Sequence, residues 1–421
     1  MTQPATSANR RLSVITVDQA IAGASNVLAA VLAARLLGVD SFARFEIVFL
    51  VYVLVGGIGR ALCCEPLLVH PDEVDERPGD SIGTTFVVAS VMSGLVLVGA
   101  AFTLLWDRPT AIGLTVLAVA LPLMFIQDLG RYLGFATQRP SLALILDTVW
   151  LVGMIVFAVL LAQVGANTLT WVLVVWAGTG ALAGCYVLWR FRRHTPRPNL
   201  SWLRETWGFS WRYLLSFSAG QGTSLGASLA LGAIVDARAL GAARGASLLV
   251  RPSLTVQAAG AAASTADISR NRASGRAVRS AVLKVTVLTT AAGLLNTGVL
   301  LLLPDKVGVQ LLGATWESAR PLFLPAGLHI IMAGLVTCMR SGMLGIRAVR
   351  TVVLLDLWAN PILFVIVVAG TYMGGLRGFY WACVVAVAVT ALIWLVTFLS
   401  TTRKLDGGPD GGSGRAIMVA A

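Results

Sequence analysis

Charged side chains are scarce in this sequence. Asp, Glu, Lys and Arg make up 12% of its 421 residues, about half the share usual in a soluble domain. With 57% hydrophobic residues and a mean hydropathy of +0.81, a separate soluble catalytic domain is excluded. Histidine is rarer still: His70, His194 and His329 lie far apart. The five cysteines, Cys63, Cys64, Cys185, Cys338 and Cys383, fall inside or at the edge of apolar segments, without metal-ligand spacing. They read as small core residues. Neither a metal centre nor a cofactor is expected. A cleavable signal is also missing: residues 1–11 are polar, and the apolar run that follows is too long and has no clear cleavage site.

What is present is a succession of apolar runs, each about long enough to span a bilayer. We mark them at 12–37, 43–69, 82–105, 111–134, 141–163, 168–189, 209–234, 240–264, 280–303, 318–340, 350–370 and 375–399. The expected protein is an all-α polytopic membrane protein with about twelve transmembrane helices in two six-helix lobes. Its parts are a cytoplasmic N-terminus (1–11), an N-terminal lobe (12–189), a basic cytoplasmic linker (190–208), a C-terminal lobe (209–399) and a flexible tail (400–421).

The net charge of +12 does not point to nucleic acid, because most of the basic residues sit in short loops. Of these loop residues, 19 lie on the side of the N-terminus, in clusters such as 190–204, 270–279 and 340–350. The other side holds seven: Arg35, Arg44, Arg108, Arg238, Lys306, Arg320 and Arg377. Positive charge marks the cytoplasmic face, so both termini are expected in the cytoplasm of a plasma-membrane protein. The linker's arginines and Trp202 suit an anionic leaflet, and the basic stretch 270–284 suits headgroups. Plain topology determination is the favoured reading of both. The acidic loop 70–81 reads as a solvated loop.

The two halves echo one another. Arg131 is followed sixteen residues later by Asp147, and Arg340 sixteen later by Asp356. Arg139 and Arg347 occupy nearly matching loop positions, and Trp150 and Trp358 follow the aspartates. Gly38–Arg44 after the first span also echoes Val235–Gly241 after the seventh. Equal order and an even number of spans per half predict a parallel repeat about a pseudo-two-fold along the membrane normal. Each Arg–Asp couple is expected to be a structural ion pair at the cytoplasmic ends of neighbouring helices.

Inside the spans, Arg244, Ser247, Arg251 and Thr255 share one face of a helix. Arg251 falls near the bilayer midplane, where an arginine costs at least roughly 2.5–3.5 kcal/mol and is rarely left facing lipid. The face should therefore line a polar cavity; the alternative is that Arg251 pairs with a buried carboxylate. Arg60 and Arg212 are further cationic candidates, and Asp18, Glu46 and Glu65 are acidic ones. Glu46 and Arg60 lie fourteen residues apart, roughly four turns, on one face. This polar content is concentrated in the first two helices of each half.

With the twelve spans, the two halves, the stretch Ala34–Arg44 and the Arg131/Asp147 region, the chain resembles the multidrug/oligosaccharidyl-lipid/polysaccharide (MOP) exporter superfamily over about 10–400. Within it, the chain is most similar to the polysaccharide exporters and lipid-linked oligosaccharide flippases. The resemblance implies two lobes with alternating access. It also implies cavity arginines that hold the pyrophosphate of a polyprenyl-linked glycan, here matched by location to Arg60, Arg212, Arg244 and Arg251. The drug-exporting branch relies on an acidic residue in its first helix, to which Asp18 corresponds.

The function expected first is flipping or export of a lipid-linked oligosaccharide or polysaccharide precursor, because arginine binds phosphate oxygens in two places. The alternative is cation-coupled multidrug efflux, whose cavity should be acidic and aromatic. An integral glycosyltransferase needs an outer domain, and the longest outer connection is about 304–317. A non-transporting scaffold on this fold is a fourth class. No enzyme activity is expected. Membrane lipids and glycan-assembly enzymes are the expected partners, and the coupling ion, H+ or Na+, is left open.

Overall fold

The computed structural model describes residues 21, 28, 33, 36–37, 39–71, 76–165, 168–194, 197–235, 237–271, 274–312 and 316–406, without the side chains of 39–40, 43, 237–238, 240–241, 244, 248 and 311–312. No strand occurs among them. The helices are α1 (Val39–Gly59), a π-helical turn (Arg60–Cys64), α2 (Glu65–Val69), α3 (Pro78–Thr103), α4 (Arg108–Ala136), α5 (Ser141–Val164), α6 (Leu169–Arg190) and α7 (Ser201–Ile234). They continue with α8 (Ala237–Asn271), α9 (Gly275–Leu301), α10 (Asp305–Leu312), α11 (Trp316–Ala319), a 3-10 turn (Arg320–Leu322), α12 (Phe323–Gly345) and α13 (Val349–Asp406).

Eight helical stretches are long and apolar enough to cross a membrane. One of them, α13, holds two crossings, because it breaks at Gly374 and Gly375. Gly375 has φ 56°, and a Cβ on Gly378 would collide with Gly370 O, so the two arms of this hairpin meet at bare backbone. At 34 and 35 residues, α7 and α8 also have the length, but their polar residues dilute the apolar character. Among the described residues, eleven helical stretches are thus long enough to cross. The first expected span, 12–37, lies almost wholly outside the described residues. The protein is an all-α polytopic membrane protein.

Proline shapes the end of the second span. In an α-helix Leu62 O would accept from the N–H of residue 66, which is Pro66 and has none. The helix widens into the π turn, where Glu65 N donates to Arg60 O. Two side chains of α7 supply donors to the carbonyls there: Ser210 Oγ to Leu62 O at 3.1 Å, and Trp202 Nε1 to Cys63 O at 3.3 Å. At the opposite end, Asp107 caps α4. The Thr110 hydroxyl donates to it at 2.6 Å and Arg44 at 3.1 Å, which together hold its carboxyl below the usual range.

The chain divides into two compact units, residues 1–214 and 215–421. The core of unit 1 gathers Phe45, Leu117, Leu121, Phe125 and Trp176 from α1, α4 and α6. Tyr52 meets Trp176 edge-on at 5.0 Å. A Cβ on Gly184 would collide with Leu123 O, so α4 and α6 touch at backbone level. The core of unit 2 gathers Val250, Trp316, Phe323, Ile330 and Tyr380. Gln257 Nε2 donates to Ile330 O at 2.9 Å and fixes α8 against α12.

Several expectations are corrected here. The seventh helix starts at Ser201, inside the expected linker, because Trp202, Thr206 and Ser210 are buried polar-capable residues of unit 1. Trp202 therefore does not face a lipid leaflet. The stretch 275–284 is the start of α9, and Arg279 Nη2 pairs with Asp406 at 2.7 Å. The tail is helical as far as Asp406. Residues 1–11 and 407–421 lie outside the described residues.

Candidate functional site

The Arg–Asp couples sit on two helical hairpins with the same turn. Between α4 and α5, Gln138 has φ 56°; Arg139 N donates to Gly134 O at 2.7 Å and Gln138 N to Phe135 O at 3.1 Å. Between α12 and α13, Arg347 has φ 62°; Ala348 N donates to Met343 O at 2.9 Å and Arg347 N to Leu344 O at 2.8 Å. Both are Schellman caps, whose left-handed residue is usually glycine. Arg340, Arg347 and Asp356 each lie 209 positions beyond Arg131, Gln138 and Asp147. The loop residue matching Arg347 is thus Gln138, one place before the Arg139 read from the sequence.

In unit 1, Arg131 Nε lies 3.1 Å from Asp147 Oδ2. The carboxylate is only 3% exposed and also accepts from Gln127 Nε2 at 3.3 Å. One helical turn back, Asp128 Oδ1 lies 3.6 Å from Arg131 Nη1, and Asp128 Oδ2 lies 3.4 Å from Arg60 Nε. Arg60 Nε also donates to Gly56 O at 3.3 Å. The charges alternate along Arg60–Asp128–Arg131–Asp147. Beside them Tyr132 donates to Glu65 Oε1 at 3.2 Å.

In unit 2, Arg340 Nε donates to Asp356 Oδ2 at 3.2 Å, and Arg340 Nη2 donates to Ser216 Oγ at 2.8 Å. The Ser216 hydroxyl in turn donates to Asp356. One turn along α13, Asn360 Nδ2 donates to Asp356 O at 2.7 Å, and Thr223 of α7 donates to Asn360 O at 3.3 Å. Arginine, carboxylate and hydroxyl thereby join α7, α12 and α13.

The other candidates are placed as follows. Glu46 is half-buried, and no ion pair joins it to Arg60 among the described residues. Arg212 is half-buried, with Cζ 5.7 Å from the Trp211 ring centre. Arg251 is half-buried just before Pro252, and Thr255 donates to Arg251 O at 3.3 Å. On the same face Ser247 is exposed, its hydroxyl 3.3 Å from that of Tyr380. The opposite face buries Ser253 and Gln257. The side chain of Arg244, and Asp18 altogether, lie outside the described residues.

Asp128, Gln127, Tyr132 and Ser216 are the partners that sequence reasoning missed. For Asp128 a signal existed: it stands three residues before Arg131 and so shares its helix face. No group of three or more His, Cys, Asp or Glu side chains that could hold a metal ion occurs among the described residues.

A family model described as "Polysaccharide biosynthesis protein" matches residues 31–321, more than two thirds of the chain. No curated protein matches. Among solved structures, a MOP superfamily transporter from Pyrococcus furiosus, described by the reverse polarity of its binding pocket, is similar with a TM-score of 0.77 and 11% identity, over 94% of this chain and 96% of that one. A MATE in complex with MaD5 is similar with a TM-score of 0.76 and 12% identity, over the same shares. An outward-facing MATE family multidrug resistance transporter has a TM-score of 0.74 and 11% identity, again over 94% and 96%. At such identities the likeness shows the fold alone.

Proposed function

The chain belongs to the polysaccharide biosynthesis protein family and is a membrane transporter of the MOP superfamily, and on that premise we propose that it flips or exports a lipid-linked oligosaccharide or polysaccharide precursor. The observation that carries this reading is the charge of α7 and α8. Within the expected spans 209–234 and 240–264 they hold three arginines, Arg212, Arg244 and Arg251, and no carboxylate. Arginine in a membrane helix is costly and marks a substrate path more often than lipid-facing surface. A guanidinium fork matches the oxygens of a pyrophosphate. A related solved transporter is described by reversed pocket polarity, so this fold accommodates a change of pocket charge.

The reading predicts that Arg251 contacts the pyrophosphate headgroup. Losing one charged hydrogen-bonding partner should cost about 1.5–3 kcal/mol of binding, or on the order of tenfold to a hundredfold in affinity. Arg251→Lys should fold and flip more weakly, since lysine lacks the planar fork, and Arg251→Ala should be weaker again. The test is transfer of a labelled polyprenyl-pyrophosphate sugar across reconstituted vesicles, with thermal stability measured in parallel. A stable Arg251→Ala protein with undiminished flipping removes this arginine from the mechanism. Vesicles of the unaltered protein that move a cationic dye but not the lipid-linked sugar refute the proposed substrate class.

A further inference from the structure

We propose that the end of α6 and the segment that follows it form a binding surface for anionic phospholipid headgroups. Arg190, Arg192, Arg193, Arg197 and Arg204 are all exposed. None has a carboxylate within ion-pair distance among the described residues. Two acids beside them are held elsewhere: Arg77 lies 3.2 Å from Glu205 and 3.7 Å from Asp80. Among the described residues, five guanidinium groups within fifteen positions therefore form no ion pair.

Aromatic rings are interleaved with these charges. Arg192 Cζ lies 5.4 Å from the centre of Trp189, and Arg190 Cζ 6.0 Å from that of Phe191. Tyr186 packs against Trp189 at 5.8 Å, and Trp189 is 57% exposed. These rings stand where a membrane-crossing helix ends. That is the depth at which tryptophan and tyrosine settle among headgroups. An arginine held beside such a ring is aimed at the phosphate layer.

The surface is also prevented from relaxing. The backbone after α6 is docked onto the start of α3. A Cβ on Gly79 would collide with His194 O, and one on Gly83 with Arg197 O. Thr84 donates to Asn199 Oδ1 at 3.1 Å, and Asn199 Nδ2 donates to Asp80 Oδ1 at 3.4 Å and to Arg197 O at 2.9 Å. With the backbone pinned, the arginines cannot disperse to lower their repulsion. An anion supplied from outside does so instead, and next to a spanning helix the abundant one is a lipid headgroup. Pre-payment of the ordering cost by the fold favours binding further.

The test is native mass spectrometry of the purified full chain, titrated in detergent with phosphatidylglycerol or phosphatidylcholine. Phosphatidylglycerol should bind more tightly, and less so as salt rises. Each single change of Arg190, Arg192, Arg193 or Arg197 to Gln should weaken that binding roughly fivefold. Arg350→Gln, in another basic loop, should leave it unaltered. Equal binding of the two lipids, full retention of the preference in R190Q/R192Q/R193Q/R197Q, or displacement by inorganic phosphate at equal concentration would each overturn the proposal. Should the fourfold variant misfold, photo-crosslinking of a phosphatidylglycerol probe to the unaltered chain decides. Adducts must fall within 186–204, and adducts confined elsewhere refute it.

Discussion

In unit 1 the arginine at the end of α4 reaches two carboxylates, and one of those reaches a second arginine. In unit 2 the arginine at the end of α12 reaches one carboxylate and one hydroxyl. The hairpin, its left-handed residue and the Arg–Asp couple are shared; what differs is Asp128 of α4, matched by Thr337 in α12, and the side chain supplied by a third element. Through the π turn after α1 unit 1 receives Arg60, while α7 gives unit 2 Ser216. A serine hydroxyl donates or accepts as required and is indifferent to the sign of its neighbours. A carboxylate such as Asp128 is not. Unit 1 is therefore committed to one arrangement of charge, whereas unit 2 tolerates its reverse.

The largest effect should follow removal of the deepest carboxylate. Asp147 is 3% exposed and Asp356 14%. Stripping a buried pair of one partner costs about 3–5 kcal/mol, so Asp147→Ala should lose most of its folded protein in a detergent melting assay. Asp356→Ala should lose less, because its carboxylate is the less buried of the two and Ser216 remains on Arg340. Equal losses would break the comparison.

Exchanging the charges sharpens it. Arg340→Asp with Asp356→Arg should recover most of the stability lost in either single change. Arg131→Asp with Asp147→Arg should not, because the new aspartate would face Asp128 one turn away. Adding Asp128→Asn to that exchange should restore part of the loss. Melting temperatures of the four single variants, the two exchanges, the triple variant and the unaltered protein decide, and full rescue in unit 1 without Asp128→Asn would refute the reasoning.

A smaller effect is expected at Arg60. It is 39% exposed, so solvent screens its bond to Asp128, and Arg60→Ala should cost only about 0.5–1 kcal/mol of stability. A larger loss of stability would show that the four-charge chain acts as one body. The smallest effect should be a gain, equal in the two units. Gln138→Gly and Arg347→Gly relieve a left-handed backbone and should each stabilise by about 0.5 kcal/mol in the same assay. Unequal gains would mean that the two turns are less alike than their hydrogen bonds.

The spans and the Arg–Asp echo were legible because both are local. Apolar length declares a membrane helix, and sixteen residues across a tight turn bring two helix ends together. The bond between Arg60 and Asp128 was not legible, since 68 positions separate them and only tertiary packing joins the π turn to α4. The shared face inferred for Glu46 and Arg60 was a statement about helix spacing, and spacing does not choose partners. The early start of α7 escaped for a related reason. Trp202 and Ser210 look like linker residues until the carbonyls of a π turn in another helix are seen to need them. Arg212 and Arg251 were placed on helices correctly, while their role rests on transport measurements.

The hairpin couples also bear on how the chain enters a bilayer. A lone arginine or aspartate resists insertion by roughly 2.5–3.5 kcal/mol. Here each couple is complete within two consecutive helices: Arg131 and Asp147 within residues 108–164, Arg340 and Asp356 within α12 and the first arm of α13. Each couple can thus leave the translocation machinery already paired, before any later helix has been made. Arg60 has no such escort. It is synthesised 68 residues ahead of Asp128, and the second span must hold it without that partner until the fourth arrives.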